Sequence, residues 1–310
     1  SKWDVSSVTS MERMFAGASA FNSDTTNWDV SSVTKMQFMF HDAHEFDRDI
    51  SNWDVSSVQN MNGMFQSATS FNGDLSKWDV SRVLNMYGTF YGASSFNSDI
   101  ADWRVSRVRV MPGMFSMATS FSSDMLEWDV SRVQNMYGMF LEAPLFNGDI
   151  KAWDVSRVTN MNSMFREASS FNGDIRTWVV SRVTSMDFMF FQASSFKQNL
   201  CGAAWVHSKA SKELMFEGSS GRLSLNVCTV LSSRDEVVRA VEECLKLSPK
   251  GDCHKGPHGA IGDWDVSRIT DMHSVFAEAL FFNGDMSKWD MSSVINMAAM
   301  FTQAGSFNGD

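Results

Sequence analysis

The chain is poor in the features that mark the commonest functional classes. No run approaches the ~20 apolar residues that a membrane-spanning helix needs. With 26 Lys and Arg against 36 Asp and Glu, the net charge is −10. It therefore lacks the basic surface that drives binding to phosphate backbones and to anionic membranes. Proline occurs four times and cysteine four times in 310 residues. No H-E-x-x-H, G-x-S-x-G or phosphate-cradling glycine loop is present, and no histidine recurs in register with the many serines, so a catalytic triad has no base. N-x-Ser/Thr is also missing, which excludes ordinary N-glycosylation of this segment. These absences leave a binding or structural role, and the expectation is a non-enzymatic chain without cofactors.

What is abundant is Met, 23 residues, and Trp, 11 residues. Trp recurs at 3, 28, 53, 78, 103, 128, 153 and 178, always 25 apart, and the spacing resumes at Trp264 and Trp289. Ser three positions after Trp, Met eight after, Phe twelve after, Ala fifteen after and Phe eighteen after occur in all ten copies. Two periods share each copy. Trp53 and Val55 step by two, which predicts a short strand with Asp54 and Ser56 on its other face. Met61, Met64, Phe65 and Ala68 step i, i+3, i+4, i+7, which predicts a short helix with Asn60 as its N-cap and, in the fifth copy, Pro112 in its first turn. Asn72-Gly73-Asp74 then reads as a turn. A unit of this size buries its apolar side only against its neighbours, so a repeat solenoid is expected, leucine-rich-repeat-like, with one parallel strand and one short helix per 25-residue copy.

The repeated unit W-D-V-S-x-V-x-x-M-x-x-M-F-x-x-A-x-x-F-N-x-D resembles the BspA-like leucine-rich repeat surface proteins, the 25-residue class of mycoplasma lipoproteins and of algal and protist secreted proteins. The likeness covers residues 1–200 and 264–310. It implies a secreted or surface-anchored, non-enzymatic protein, and it brings no catalytic residues.

The pattern decays after Phe196. The expected organisation is a first array of eight repeats over 1–200, its C-terminal cap over 201–228, a linker and helical N-terminal cap of a second array over 229–262, and two further repeats over 263–310. Both arrays read as pieces cut from something longer. Ser233-Arg234-Asp235-Glu236 is a capping box ahead of a helical face of Val237, Val241, Cys244 and Leu245. All four cysteines, Cys201, Cys228, Cys244 and Cys253, fall in the cap segment and none in the repeats. That placement predicts disulfide staples, with Cys201–Cys228 and Cys244–Cys253 favoured by the cap boundaries among three possible connectivities, and an oxidising, extracellular compartment. Zinc held by Cys253, His254 and His258 is the rival, and its spacing matches no common structural site.

Eight copies carry Asp directly after Trp: Asp4, Asp29, Asp54, Asp79, Asp129, Asp154, Asp265 and Asp290. Stacked copies would align them as an acidic surface ladder, a candidate Ca²⁺ or ligand face. The plainer expectation is that each is paired with backbone or with the arginines three residues on, such as Arg82, Arg107 and Arg132. Arg104 and Val179 interrupt the column. A second acidic set in the turns, from Asp24 and Asp49 to Asp174, is expected to accept turn N–H groups. His41 and His44 are singular but carry no site pattern. Varying, exposed positions on the helix side, Lys35, Gln37, Phe38, Tyr87, Tyr137 and Phe188, are candidate partner contacts. The function expected is an extracellular structural scaffold, a solenoid segment that self-assembles or binds protein partners. The alternative is a cell-surface adhesin recognising protein or glycan through one face.

Overall fold

A computed structural model describes residues 3–224, 231–253 and 258–309. The chain divides into two compact units. The first comprises Ser1–Leu200 and His207–Arg222, the second Cys201–Val206 and Leu223–Asp310.

In the first unit the copies lie against one another through parallel bridges at one register position. These run Ser10 to Lys35, Lys35 to Asn60, and onward copy by copy to Ser185 and Ser211. The strand and helix expected within each copy do not form, and their place is taken by successive turns. In the third copy the N–H groups of Met61, Gly63, Phe65 and Ser67 cross to the carbonyls of Asn85, Tyr87, Thr89 and Tyr91, at 2.7–3.0 Å. The intervening N–H groups of Met64, Gln66 and Ala68 close turns on Met61, Gly63 and Phe65 at 3.0–3.1 Å. A helix would keep every N–H within its own segment. Here half are spent on the neighbouring copy, so the same backbone both turns and stacks.

This ribbon of turns needs left-handed backbone at two places per copy. Ten residues after Trp, φ is positive at Gly63 (57°), Gly88 (54°), Gly113 (58°) and Gly138 (56°), and likewise at Phe38 (55°) and Ser163 (56°). Four residues later it is positive again, as at Ser67 (56°) and Gly92 (67°). Glycine adopts such values without the steric penalty a Cβ brings. Four glycines at one register position of ten therefore mark a turn, where a helix interior would have disfavoured each by about 1 kcal/mol.

The strand fails for a related reason. Asp54 Oδ1 accepts the Ser56 N–H at 3.0 Å, and Val58 N–H returns to the Val55 carbonyl at 2.9 Å, so the chain bends directly after Val55. The alternation itself is right, with Trp53 and Val55 buried and Asp54 exposed. Met61, Met64, Phe65, Ala68 and Phe71 are all buried as expected.

The interior is a set of aromatic columns. Phe65 and Phe71 stack within a copy at 4.0 Å, and Phe65 stacks on Phe40 and on Phe90 at 5.6 Å. Trp103 and Trp128 lie 6.4 Å apart and within 6° of parallel. From Trp53 onward in the first unit indole does what phenyl cannot, because its Nε1 donates to a carbonyl 28 residues earlier. Trp78, Trp103 and Trp128 donate to the buried carbonyls of Ile50, Leu75 and Ile100 at 3.0 Å.

Residues 207–222 were expected to belong to the cap over 201–228. They stack on the eighth copy as a degenerate ninth one, the atypical terminal unit of the first array. Met186, Phe188, Phe190 and Gln192 donate to the carbonyls of Ser211, Glu213, Met215 and Glu217, and Phe216 stacks on Phe190 at 5.6 Å. The register is shifted by one residue, which hid the copy, although Met215-Phe216 repeats the Met-Phe pair of earlier ones. β1 (Asn199–Leu200) pairs with β2 (Arg222–Leu223) in a small two-stranded sheet. The short helix α1, Ala203–Val206, groups with the second unit.

The second unit contains the one helix longer than a single turn among the described residues, α2, Arg234–Leu247. Ser233 caps it by accepting the Glu236 N–H at 3.3 Å, while Glu236 Oε2 reaches back to the N–H and hydroxyl of Ser232 at 2.8 Å. The box thus closes one residue earlier than its usual form. Val237, Ala240, Val241 and Cys244 are buried in one core with Trp264, Ile269, Met272 and Phe276, and Leu245 packs at its margin. Copies beginning at Trp264 and Trp289 repeat the first unit's contacts, with Asp271 bridged to Asn296.

Candidate functional site

The acidic column resolves into eight equal turns. At each of Asp4, Asp29, Asp54, Asp79, Asp129, Asp154, Asp265 and Asp290, Oδ1 accepts the N–H of the serine two residues on, at 3.0–3.1 Å. The serine hydroxyl adds a second bond at Asp4, Asp29 and Asp265, at 2.6–2.7 Å. Hydroxyl and backbone donors hold the carboxyls of Asp4, Asp29, Asp79 and Asp154 below the ordinary range. Arginine contributes a smaller share, Arg104 and Arg82 at Asp79 and Arg157 at Asp154. Of the two pairings expected for the column, the backbone one dominates. No group of three or more His, Cys, Asp or Glu placed to hold a metal ion occurs among the described residues.

The turn acids behave alike except Asp124, whose Oδ1 accepts the N–H groups of Met125 and Asp149. Asp24, Asp49, Asp74, Asp99, Asp149, Asp174 and Asp285 each accept the N–H two residues on. Asp174 differs in burial, which raises its carboxyl, but two bonds and the charge of Arg176 outweigh that and leave it lowered. Asn60 makes the same Asx turn, accepting the Asn62 N–H at 3.0 Å, so the expected helix cap is a turn cap. In the fifth copy the acceptor and the donor are lost together, because Val110 and Pro112 replace that pair. A further ladder runs between copies. Asn22, Asp47, Asn72 and Asn97 each accept the N–H of the residue 25 positions on.

Cys244 and Cys253 form a disulfide with Cα atoms 5.3 Å apart. That occupies Cys253 and removes it from the rival zinc set, of which His254 lies outside the described residues and His258 sits 3.2 Å from Glu243. Cys201 is disulfide-bonded, and the expected pairing with Cys228 lies outside the described residues. His44 Nδ1 bonds the Ser67 carbonyl at 2.8 Å and His41 pairs with Asp42 at 3.2 Å, so both are used locally.

One surface feature departs from the repeat's sameness. The only three tyrosines of the chain, Tyr87, Tyr91 and Tyr137, line a single groove of about 340 Å³. Gly88, Gly113 and Gly138 also line it. Two of the rings, Tyr87 and Tyr137, are among the exposed candidates; Tyr91, Pro112 and the glycines went unnoticed as a site. The signal was a block of copies that share glycine ten residues after Trp. No carboxylate, ammonium or guanidinium lines the groove.

The model of a single repeat family matches residues 1–103, 48–140, 122–224 and 252–310, which together span all but 225–251. Its description is "Mycoplasma protein of unknown function, DUF285". The chain belongs to the DUF285 family. No curated protein and no solved structure matches it. The first three DUF285 matches overlap along the array, and the only stretch left out contains the whole of α2.

Proposed function

We propose that this chain is a non-enzymatic, extracellular structural scaffold, a BspA-like, leucine-rich-type solenoid of the surface or filament-forming kind. The observation that carries the reading is the ladder itself. The same donors meet the same acceptors from copy to copy, and the polar side chains that suggested chemistry are tied up in turns. An array of equal contacts transmits load and sets spacing, and it offers no unique catalytic cluster. The Cys244–Cys253 disulfide supports an oxidising compartment. Surface biotinylation of intact cells, with electron microscopy of the labelled protein, tests this. Labelled rods or fibrils are expected; a protein labelled only after lysis, with Cys244 and Cys253 as free thiols, would overturn it.

A binding module is the second reading, and the tyrosine groove favours it. A scaffold needs no such patch, whereas recognition needs a place where the copies differ.

A further inference from the structure

We infer that the tyrosine groove is a docking site for a proline-rich segment of another protein in the polyproline II conformation. The proposal rests on the binding-module reading and gives it a ligand. Tyr87 and Tyr137 occupy the same register position two copies apart, and both are about half exposed. Two parallel-paired copies separate equivalent atoms by about 10 Å. A polyproline II helix advances about 9.3 Å in each three-residue turn. The two rings therefore present ridges at the repeat of that helix. Between them, in the intervening copy, lies Pro112, which lacks the N–H its counterparts carry.

The floor suits a ligand that must come close. A Cβ built on Gly88, Gly113 or Gly138 would meet nothing nearer than 3.6 Å, so the glycines leave open space rather than avoiding a clash. At the preceding glycine, Gly63, the Phe38 ring fills that space, 2.5 Å from where a Cβ would stand. The open floor is thus limited to three successive copies.

The polar groups match as well. A polyproline II chain has no internal hydrogen bonds, and its carbonyls seek donors. The three tyrosines and Gln66, whose side chains carry donors, line the groove. Ser116 lines it too, 1% exposed, and its Oγ has no hydrogen-bond partner among the described residues. The uncharged lining of rings, glycines, Leu141 and one proline fits an uncharged, largely apolar ligand. The chain's own four prolines, Pro112, Pro144, Pro249 and Pro257, include no P-x-x-P, so the segment comes from elsewhere.

The test is titration of the 310-residue chain with fluorescein-labelled decaproline by anisotropy, with cellohexaose as a competing arm. Saturable binding is expected, with a Kd on the order of 100 μM, and about tenfold weakening in Tyr87→Ala and in Tyr137→Ala. Tyr91→Phe, which keeps the ring, is expected to weaken it about threefold through the lost hydroxyl. Unchanged thermal midpoints show that these three substitutions leave the fold intact. Absence of binding at millimolar decaproline overturns the proposal, and so does affinity indifferent to both alanine variants. Tyrosine-dependent binding of cellohexaose without binding of decaproline also overturns it, while leaving the binding-module reading standing.

Discussion

The two units solve one problem by different means. A 25-residue copy cannot bury its own apolar side. In the first unit the remedy is repetition. The core Phe and Trp rings stack on their equivalents, and alternate turn N–H groups find their acceptors in the next copy. In the second unit the described copies beginning at Trp264 share a core with α2, and the Cys244–Cys253 bond ties the end of that helix to the loop before them. Neighbours stabilise one region and a helix with a covalent link the other.

Substitutions that touch one remedy and spare the other should separate the two. The largest effect is expected for Phe115→Ala, in mid-array and stacked on Phe90, Phe121 and Phe140. Loss of a fully buried ring costs about 3–5 kcal/mol. Urea denaturation should show the first unit's transition shifted and the second unit's unchanged. Cys244→Ser should do the reverse, lowering the second unit's stability by about 2–3 kcal/mol, as expected for a short closed loop. A single shifted transition in both variants would show that the two units do not unfold independently.

Acid gives a smaller, distributed effect with a definite sign. Asp4, Asp29, Asp79 and Asp154 in the column, and Asp24, Asp49, Asp74 and Asp285 in the turns, are held below the ordinary aspartate value of 3.8 in the folded state by their hydroxyl and backbone donors. A depressed carboxyl stabilises the folded state above its unfolded value, and that contribution is lost as pH falls through the folded one. Stability should be flat down to about pH 5 and decline below 3.8, more steeply in the first unit, which holds seven of these eight residues. Denaturation midpoints from pH 6 to pH 2.5 would check this. Asn97→Ala, which removes one inter-copy acceptor from the Ser122 N–H, should cost only about 1 kcal/mol.

The copies, their length and nearly every buried position were legible in the sequence, because burial follows side-chain type at a fixed register. The backbone was not. Met61, Met64, Phe65 and Ala68 have helical spacing, yet a chain turning every two residues buries the same four positions. Apolar periodicity reports which side chains face inward and leaves open where the N–H groups go. The residue that separates the two is Gly63, with its counterparts Gly88, Gly113 and Gly138, whose positive φ a helix does not contain. The ninth copy escaped notice because one extra residue breaks the count before Ser211. The acids were legible as turn formers, since Asp two residues before Ser is itself the motif of an Asx turn. The groove was half visible. Tyr87 and Tyr137 stood out as exposed aromatics, but their joint placement over a glycine floor depends on how the copies stack.

The central claim is that each copy is a ribbon of turns completed by its neighbour, and Ser163→Gly tests it most directly. Ser163 has φ of 56° where four other copies have glycine. Ser163 is nearly buried, and its hydroxyl bonds the adjacent Asn162 side chain. In a turn ribbon, glycine relieves left-handed strain, and urea denaturation should show the first unit stabilised by about 0.5–1 kcal/mol. In a helix the same change would destabilise it by about 1 kcal/mol. A loss of stability of that size would contradict the account.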